Sequence, residues 1–497
     1  MTPRALLLLG LALLASGCAA RERTTELATI DHSAGYRYAA LEKIAPKALP
    51  DTFVVVTFSG GGTRAAALAT GALQGLATAT VPAAGAPVNF ADQIDLISSV
   101  SGGSVTAAYY GLYGRQGLPL LTSNFLKRNV QGSLIAEALS PVTWVRLATP
   151  SYARIDALRD YLDDNVFDHA TFQTMLDNAQ KAQAASGAKE RRPLVVLNGS
   201  DMANGAVFSF TQDRFDLICS DLAKLKVADA VAASAAFPVA LTALTLKNRA
   251  PCAAQTAATT NQFSGWHLFD GSDGKQHPRP TTLQNAMGDQ EGNPGRYRRG
   301  LIQLGYLNET GQSPYIQLLD GGVSDNLGLT EPLYLLTSLD QYDSILRRQN
   351  RSDLKHVVFV VVNARSEPDQ TYGLSSTPPG AISTLLTTIG SPIDGTSFAL
   401  QDRLGDILHD EIGPQVTTTQ VRVDFDFIAD PICRRTFKNL QTSWSLKRDQ
   451  VDALEQLGAA MVRESKQFQD LMGQLGGTIG TGPTTDQACQ TLAAVGS

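Results

Sequence analysis

The chain of 497 residues lacks the marks of several common classes of protein. It has five cysteines and six histidines but no Cys-x-x-Cys pair and no grouping of cysteine with histidine, so the sequence does not support a structural zinc site. Basic residues are not in excess: 41 Lys and Arg against 47 Asp and Glu give a net charge of −6, which argues against nucleic acid as a partner. We interpret the one basic cluster, residues 296–299, as a solvated loop, and we find no internal repeat.

Two common phosphate-binding loops are also missing. The glycine run Gly60-Gly61-Gly62 continues with Thr63-Arg64 rather than with the Gly-Lys-Ser/Thr of a P-loop. It also lacks the Gly-x-Gly-x-x-Gly spacing and the acidic residue of a dinucleotide-binding turn. We therefore expect neither a cofactor nor a metal ion in the functional site.

The sequence does contain enough apolar residues for a large core, with 43% hydrophobic and 18% charged residues. A β-branched run over residues 52–58 passes through the glycines into an Ala- and Leu-rich helical pattern over residues 63–78. The same order of patterns repeats at 94–100 and 105–113, and further strand-like runs lie at 194–197, 206–210, 316–319 and 357–362. This alternation predicts an α/β fold with a mostly parallel central sheet and helices on both faces.

We place this domain at residues 51–365. A Gly-, Asn-, Gln- and Pro-rich stretch at about 248–313 has no sustained periodicity and is expected to be a surface insertion. Residues 366–497 are a C-terminal extension of α+β type. Its parts are a strand pattern over 415–428, a long helical pattern over 446–475 and a loosely ordered end from 476.

The first residues have the features of a secretory signal. Arg4 precedes an apolar stretch over residues 5–15, which is too short to span a membrane, and Ser16-Gly17-Cys18 follows. Cys18 after small residues resembles the bacterial lipobox, although Ala15 stands where that motif usually has Leu. We expect a signal peptide over residues 1–17, lipidation of Cys18, and a tether over residues 18–50. The alternative is an ordinary signal peptide with an incidental cysteine. Either way the protein is expected to be exported, and as a lipoprotein it would be anchored in a bacterial membrane, facing the periplasm or in the outer membrane.

Four cysteines remain after Cys18, and in an oxidising compartment they allow three complete pairings. Their spacing favours Cys219 with Cys252 and Cys433 with Cys489.

Ser101 is the candidate nucleophile. It lies in Ser99-Val100-Ser101-Gly102-Gly103, which departs by one residue from the Gly-x-Ser-x-Gly elbow that exposes a serine hydroxyl between a strand and a helix. The first glycine of that elbow is replaced here by Ser99, another small residue. The alternative is a serine that only caps the helix beginning near Gly102.

A serine nucleophile needs donors for the oxyanion and a base. Backbone N–H groups of Gly60, Gly61, Gly62 and Gly102 are candidates for the oxyanion hole, although glycine turns after strands are frequent and many bind nothing. For the base, none of the six histidines lies in a turn at a strand end. Asp320 does: it follows the strand-like run 316–319 and precedes Gly321-Gly322, so we expect it at the carboxyl end of the sheet. The alternative is an aspartate that only opens a turn.

Gly-Gly-Gly-x-Arg, a Ser-x-Gly elbow and Asp-Gly-Gly, in this order, resemble the patatin-like phospholipase family. The resemblance covers residues 52–363 and extends to the block 233–238, Ala-Ser-Ala-Ala-Phe-Pro, and to residues 197–201. It implies a Ser101–Asp320 dyad without histidine, an oxyanion hole in the glycine loop, and supporting roles for Arg64, Gly103, Gly321 and Gly322. Ala65 and Ser99 depart from the family pattern. Arg64 would position the loop or meet a phosphate, unless it is only a residue of the first helical turn.

The resemblance implies a hydrolase that cleaves acyl esters of phospholipids or lysophospholipids through an acyl-enzyme, at a membrane to which the lipid anchor holds it. Two alternatives stay open. One is a carboxylesterase or thioesterase acting on small acyl compounds, and the other is an inactive envelope protein that keeps the fold for binding. The presence of both Ser101 and Asp320 argues against the second.

Overall fold

The structure is a computed structural model that describes residues 23–494 apart from 45–46, 84–85, 148, 150–151, 187–189, 239, 338–353, 367–398 and 413–415. The predicted signal peptide and Cys18 lie outside the described residues.

An eight-stranded mixed sheet forms the centre of the molecule. Its strands are β1 (Thr52–Phe58), β2 (Leu96–Val100), β3 (Leu194–Asp201), β4 (Val207–Ser209), β5 (Leu244–Lys247), β6 (Tyr315–Asp320), β7 (His356–Asn363) and β8 (Thr417–Asp424). Every residue of β1, β2 and β3 is buried, as their continuous apolar runs require of strands covered on both faces. Shorter strands pair outside this sheet: Thr25–Glu26 with Ser220–Asp221, Trp266–Asp270 with Gln276–Pro280, and Ala79–Val81 with both Val88–Asn89 and Thr478–Ile479.

The strand order is β8-β7-β1-β2-β3-β6-β5, with β4 paired to β3. The pairs from β8 to β3 are parallel, and β4, β5 and β6 join in antiparallel fashion. The predicted mostly parallel α/β fold is therefore confirmed.

The helices, in chain order, are α1 (Tyr38–Ile44), α2 (Gly62–Ala77), α3 (Gly102–Tyr113), α4 (Leu118–Leu121), α5 (Val130–Ala138), α6 (Pro141–Leu147), α7 (Arg154–Asn165), α8 (Phe172–Ser186), α9 (Gln212–Leu217), α10 (Val227–Ser234), α11 (Ala253–Ala258), α12 (Thr281–Met287), α13 (Pro294–Tyr306), α14 (Thr330–Thr337), α15 (Leu404–Ile412), α16 (Pro431–Lys438), α17 (Arg448–Glu464), α18 (Lys466–Gln474) and α19 (Thr485–Ala494). Among the described residues, none of them is both long and apolar enough to cross a bilayer.

Residues 23–44 and 47–50 are packed onto the domain, so the predicted tether over 18–50 was wrong for these residues. The buried Arg23 guanidinium pairs with Asp156 of α7 and Asp229 of α10. Further along, Arg37 is buried and donates to Asp216 at 3.0 Å. These side chains compensate buried acids of the domain, which a composition argument cannot foresee.

The insertion over 248–313 is more regular than predicted. It contains α11, α12, α13 and a β-hairpin, and the basic cluster 296–299 lies within α13 rather than in a solvated loop. The Arg299 guanidinium stacks 4.1 Å from the centre of the Tyr334 ring. Such stacking lets a helix carry consecutive arginines without leaving them all in solvent.

The C-terminal extension shares the sheet and the core. Strand β8 continues the sheet beside β7, and α17 packs along α2. The predicted long helix over 446–475 is two helices, because Ser465 leaves the helical conformation and its side chain caps α18. The end of the chain, predicted to be loose, forms α19, with Ala488 and Leu492 buried.

Both predicted disulfides are confirmed. Cys219 is bonded to Cys252, which ties α11 to the turn after α9. Cys433 of α16 is bonded to Cys489 of α19, so the C-terminal helix is covalently held to the rest of the extension.

Helices α2 and α17 cross at glycines. A Cβ on Gly71 would lie 2.1 Å from the Glu455 carbonyl oxygen, and one on Gly458 would lie 2.4 Å from that of Leu68. Since these neighbours are backbone atoms, a side chain at either position has to push the helices apart.

Replacement Gly71→Ala is expected to lower the free energy of unfolding by about 1–3 kcal/mol, because an added methyl group overpacks this crossing. Urea denaturation followed by circular dichroism measures the change. The matched control is Gly473→Ala in α18, where an added Cβ would meet nothing within 4 Å. The control is expected to be neutral or stabilising by up to about 1 kcal/mol. Equal effects of the two variants would contradict the close crossing.

Candidate active site

Ser101 occupies a strained turn between β2 and α3. Its backbone angles are φ 51° and ψ −125°, a conformation that non-glycine residues rarely adopt. The side chain makes no capping hydrogen bond to α3, so the alternative of a mere helix cap does not hold. The turn instead points the hydroxyl away from the helix, and the residue is half-exposed.

The Ser101 hydroxyl donates to Asp320, with 2.8 Å between Oγ and Oδ2. The strand register explains how two residues 219 positions apart meet. Val100, the last residue of β2, pairs with Asn198 of β3, and Asp320, the last residue of β6, pairs with the next residue, Gly199. Strands β2 and β6 therefore end at adjacent positions along β3. Asp320 therefore lies beside the carboxyl end of β2, as expected. The expectation assumed a parallel strand, whereas β6 is antiparallel and reaches this edge from the opposite direction.

Asp320 is buried, and none of the cations among the described residues is close enough to stabilise its charge. Burial raises the pKa of Asp320 to about 6, although the Gly322 N–H and the Ser101 hydroxyl bind the charged form and oppose the shift. The Gly322 nitrogen lies 2.8 Å from Oδ1. One carboxylate oxygen is thus fixed by the backbone, and the other faces Ser101. Asp320 therefore does open the turn, because its Oδ1 accepts the Gly322 N–H. Its Oδ2 still faces Ser101, so the turn does not exclude a role as a base.

The glycine loop lies against the serine. Gly61 has φ 137° and Gly62 has φ 60°, and α2 begins at Gly62. A Cβ on Gly60 would lie 3.3 Å from the Cβ of Ser101. The first N–H groups of a helix have no partner within it, so the N-termini of α2 and α3 bring the donors of Gly61, Gly62 and Gly102 to this region.

Gly60 is the exception among the four predicted donors. Its N–H points at Asn326, with the backbone and side-chain oxygens of that residue both 3.3 Å from the nitrogen. The prediction that Gly60 contributes to the oxyanion hole was therefore wrong in this conformation, since its donor is occupied. Its place in the loop is still required, because a Cβ there would lie 2.7 Å from Asn326 Oδ1.

Glycines also allow the three catalytic segments to touch. A Cβ on Gly102 would lie 2.1 Å from the Gly62 carbonyl oxygen, and one on Gly103 would lie 2.7 Å from that of Ser59. A Cβ on Gly321 would lie 2.2 Å from the Asn198 carbonyl oxygen, and one on Gly322 would lie 3.1 Å from Asp320 Oδ1. Side chains are excluded at Gly102, Gly103 and Gly321 by opposing backbone atoms and at Gly322 by the Asp320 carboxylate, which gives the predicted supporting roles of these glycines a steric basis.

A buried chain of hydroxyl groups supports the elbow. The Ser101 N–H donates to Ser234, with its nitrogen 2.9 Å from Oγ, and the Ser234 hydroxyl donates to the Asn198 carbonyl at 2.6 Å. Ser104 Oγ lies 2.9 Å from Ser234 Oγ and 3.1 Å from Ser99 Oγ. Ser99, which replaces the first glycine of the elbow, is therefore satisfied by a partner. The block containing Ser234 was visible in the sequence, but its contact with Ser101 was not.

Arg64 binds protein rather than facing the site. Its guanidinium donates to the Ala364 carbonyl at 2.8 Å, to Thr442 Oγ1 at 3.0 Å and to the Leu440 carbonyl. Burial lowers the pKa of Arg64 to about 10. Of the predicted roles, the structure supports positioning of the loop: Arg64 joins the first turn of α2 to residues 440–442 of the C-terminal extension.

Two groups of acids and histidine in the described residues are close enough to chelate an ion: His32 with Asp213 and Asp216, and His169 with Asp163 and Asp164. A cation already pairs with each group, because Arg37 binds Asp213 and Asp216 and Lys226 binds Asp163. None of these residues contacts the dyad, and neither group is assigned a metal.

The buried charge at Asp320 has a measurable effect on stability. A pKa raised from 3.8 to about 6 means that the folded state is favoured below the unfolded value and loses this advantage as the pH rises through 6. The full loss is about 3 kcal/mol, since one unit of pKa shift corresponds to about 1.4 kcal/mol.

Replacement Asp320→Asn removes this ionisation. The free energy of unfolding of the variant minus that of the wild type is therefore expected to be about 2 kcal/mol larger at pH 7.5 than at pH 4.5. Urea denaturation at the two pH values gives the difference. Ser101→Ala is the control, because it keeps the buried carboxylate and should show no such gain. A stability difference between Asp320→Asn and wild type that is independent of pH would show that Asp320 titrates normally.

The chain is similar to known proteins in sequence and in fold. A family model described as patatin-like phospholipase matches residues 56–333. Among solved structures, human GIVD cytosolic phospholipase A2 aligns with 91% of this chain and 66% of its own, at 12% identity and a TM-score of 0.41. Its complex with methyl gamma-linolenyl fluorophosphonate aligns with 89% and 60%, at 10% identity and a TM-score of 0.37. The chain thus spans just under two thirds of the length of these structures.

No curated protein sequence matches the chain significantly. The family match nevertheless covers more than half of the chain, from within β1 to within α14, and includes the glycine loop, the elbow and Asp320. The chain belongs to the patatin-like phospholipase family.

Proposed function

We propose that the chain is a serine acyl hydrolase that cleaves acyl esters of phospholipids or lysophospholipids with a Ser101–Asp320 dyad through an acyl-enzyme. The observation that carries this proposal is the 2.8 Å contact between Ser101 Oγ and Asp320 Oδ2 at a strained, half-exposed turn. Membership of the patatin-like phospholipase family supports the lipid substrate class.

Asp320 acts first as the general base. Its Oδ2 takes the Ser101 proton while Oγ attacks the ester carbonyl, and the proton then passes to the leaving alcohol as the acyl-enzyme forms. Water, activated by the same carboxylate, hydrolyses the acyl-enzyme and restores the serine. A carboxylate with a pKa of about 6 is a stronger base than an ordinary aspartate and is still ionised at neutral pH.

The oxyanion would be held by the N–H groups at the N-termini of α2 and α3, from Gly61, Gly62 and Gly102. These donors belong to backbone segments that pack against each other, so they need not reorganise during the reaction. Loss of one donor of this kind costs about 10²–10³ in turnover in other hydrolases.

Export to an oxidising compartment is also part of the proposal. The two disulfides support it, since such bonds are rare in reducing compartments. We propose that lipidated Cys18 anchors the mature chain to a membrane. Five positions separate Cys18 from Arg23, so the anchor would lie at most about 18 Å along the chain from a residue that is fixed to the domain.

The dyad is tested with Ser101→Ala and Asp320→Asn in residues 19–497, which retain every described element. Hydrolysis is measured on a soluble p-nitrophenyl ester and on phospholipid vesicles. Both variants are expected to lose at least about 10³-fold in turnover on both substrates. Ser324→Ala is the matched control, since this hydroxyl donates to the Gly205 carbonyl and does not touch the dyad.

Full activity of either dyad variant would refute the assignment of the dyad, and an inert wild type would refute the enzyme. A wild type active on the soluble ester alone would favour the esterase alternative.

The pH dependence of the soluble ester reaction tests the base. Because only the ionised form of Asp320 accepts the proton, kcat/KM is expected to fall about tenfold per unit below pH 6 and to be level above it. Acylation rates from pH 4.5 to 8.5, with folding checked by circular dichroism at each pH, provide the profile. A half-maximal rate near pH 7 or a rise that continues to pH 8 would indicate a different base.

A further inference from the structure

The segment from α4 to α6 exposes an unusual amount of apolar surface. Among the described residues, the exposed large apolar side chains cluster here: Leu120, Ile135, Leu139, Val142, Trp144 and Val145 are 44–70% exposed. Helix α6 shows the opposite of the usual burial pattern of a helix in water. It buries the polar Thr143 and exposes the apolar Val142, Trp144 and Val145. Exposed apolar side chains gathered in one short segment make it a candidate interaction site. We call α5 and α6 the apolar hairpin.

The apolar hairpin is joined to the glycine loop. The Gln131 N–H at the start of α5 donates to Ser445 Oγ at 3.0 Å, and the Trp444 N–H donates to Gln131 Oε1 at 3.1 Å. One residue earlier, the Ser443 carbonyl accepts the Thr63 N–H at 2.9 Å and lies against Gly62. Two steps of contact therefore separate the hairpin from the predicted oxyanion hole.

A second connection leads to Asp320. The Ile155 N–H, in the helix that follows the hairpin, donates to Thr242 Oγ1 at 3.3 Å. Thr242 follows shortly after Ala236 in the chain, and the Ala236 carbonyl accepts the Asp320 N–H at 3.0 Å. Phe237 directly follows Ala236 and is 41% exposed, so an exposed apolar side chain also lies next to the residue that binds the Asp320 backbone.

Two observations favour a lipid surface as the occupant. Residues 118–147 contain Lys127, Arg128 and Arg146 against one acid, Glu137. Lys127 pairs with Asp452 and Arg146 pairs with Asp160, whereas the exposed Arg128 has no ion pair among the described residues and is the cation that could meet an anionic head group. In addition, Arg23 is the first described residue and is fixed by an ion pair to Asp156. Asp156 lies in α7, the helix that follows the hairpin. A lipidated Cys18 would therefore tether the bilayer close to the hairpin.

We infer that the apolar hairpin docks on the surface of an anionic bilayer and holds the mouth of the active site against it. The biological purpose of this docking rests on the proposed function, but binding to a bilayer can be measured without any catalysis. Val142, Trp144 and Val145 would enter the boundary between head groups and acyl chains, and Arg128 would remain at the head groups.

The test uses residues 19–497, so that no acyl anchor contributes, and vesicles of non-hydrolysable ether lipids containing phosphatidylcholine and phosphatidylglycerol headgroups. Flotation measures binding of the wild type, of Val142→Asp/Val145→Asp and of a matched double variant, Phe263→Asp/Ile432→Asp. The matched residues are 75% and 77% exposed but lie outside the hairpin. The hairpin variant is expected to bind at least tenfold less than the wild type, and the matched variant to bind as the wild type does.

Two further readouts separate docking from catalysis and from self-association. Hydrolysis of the soluble ester is expected to be unchanged in the hairpin variant, while hydrolysis of ester phospholipid vesicles falls at least tenfold. An inert wild type that still floats with the vesicles would refute the proposed function but not the docking. Docking is overturned if the wild type does not bind vesicles, if the hairpin and matched variants bind equally, or if the hairpin variant converts a dimer into a monomer in analytical ultracentrifugation.

Discussion

The site depends on a contact between two backbones. Gly62 and Gly102 lie so close that a methyl group added to Gly102 would penetrate the Gly62 backbone, and each begins a helix. This contact holds two helix N-termini side by side, which concentrates N–H donors beside Ser101. A larger residue at position 102 would push the glycine loop away from Ser101 even if both loops kept their own conformations. A larger residue at position 62 would instead meet the Ser443 carbonyl oxygen.

The proposed dyad would use burial where other serine hydrolases use histidine. A surface aspartate is too weak a base to take a serine proton with useful frequency at neutral pH. Removing Asp320 from water raises its pKa and so strengthens it as a base, and no cation in the described part of the chain lies near enough to cancel that effect. The cost falls on the stability of the folded state, because a charge is buried with two hydrogen-bond donors in place of water. Function and stability are therefore opposed at this residue.

The sequence predicts the fold class and the residues of the candidate site better than it predicts the pairing of distant segments. Ser101, Asp320 and the glycines could be named because each stands in a short motif, and the structure brings them together. The antiparallel β6, the occupied donor of Gly60 and the ends of the extension were missed because they depend on pairing between distant segments. Asn326 had no signal at all, since its role is a contact with Gly60 across 266 positions. Both disulfide pairs were favoured by spacing alone.

The C-terminal residues belong to the catalytic architecture although they lie beyond the family match. Residues 440–445 receive Arg64 and the Thr63 N–H from one side and contact the apolar hairpin on the other. The same helix α2 then crosses α17 through glycines. The hairpin is linked to this segment through the Gln131 and Ser445 side chains, whereas the contact between Ser443 and the start of α2 is between backbones. The proposed docking surface and the proposed oxyanion loop therefore contact the same short segment, which carries no motif and could not be assigned a role from the sequence.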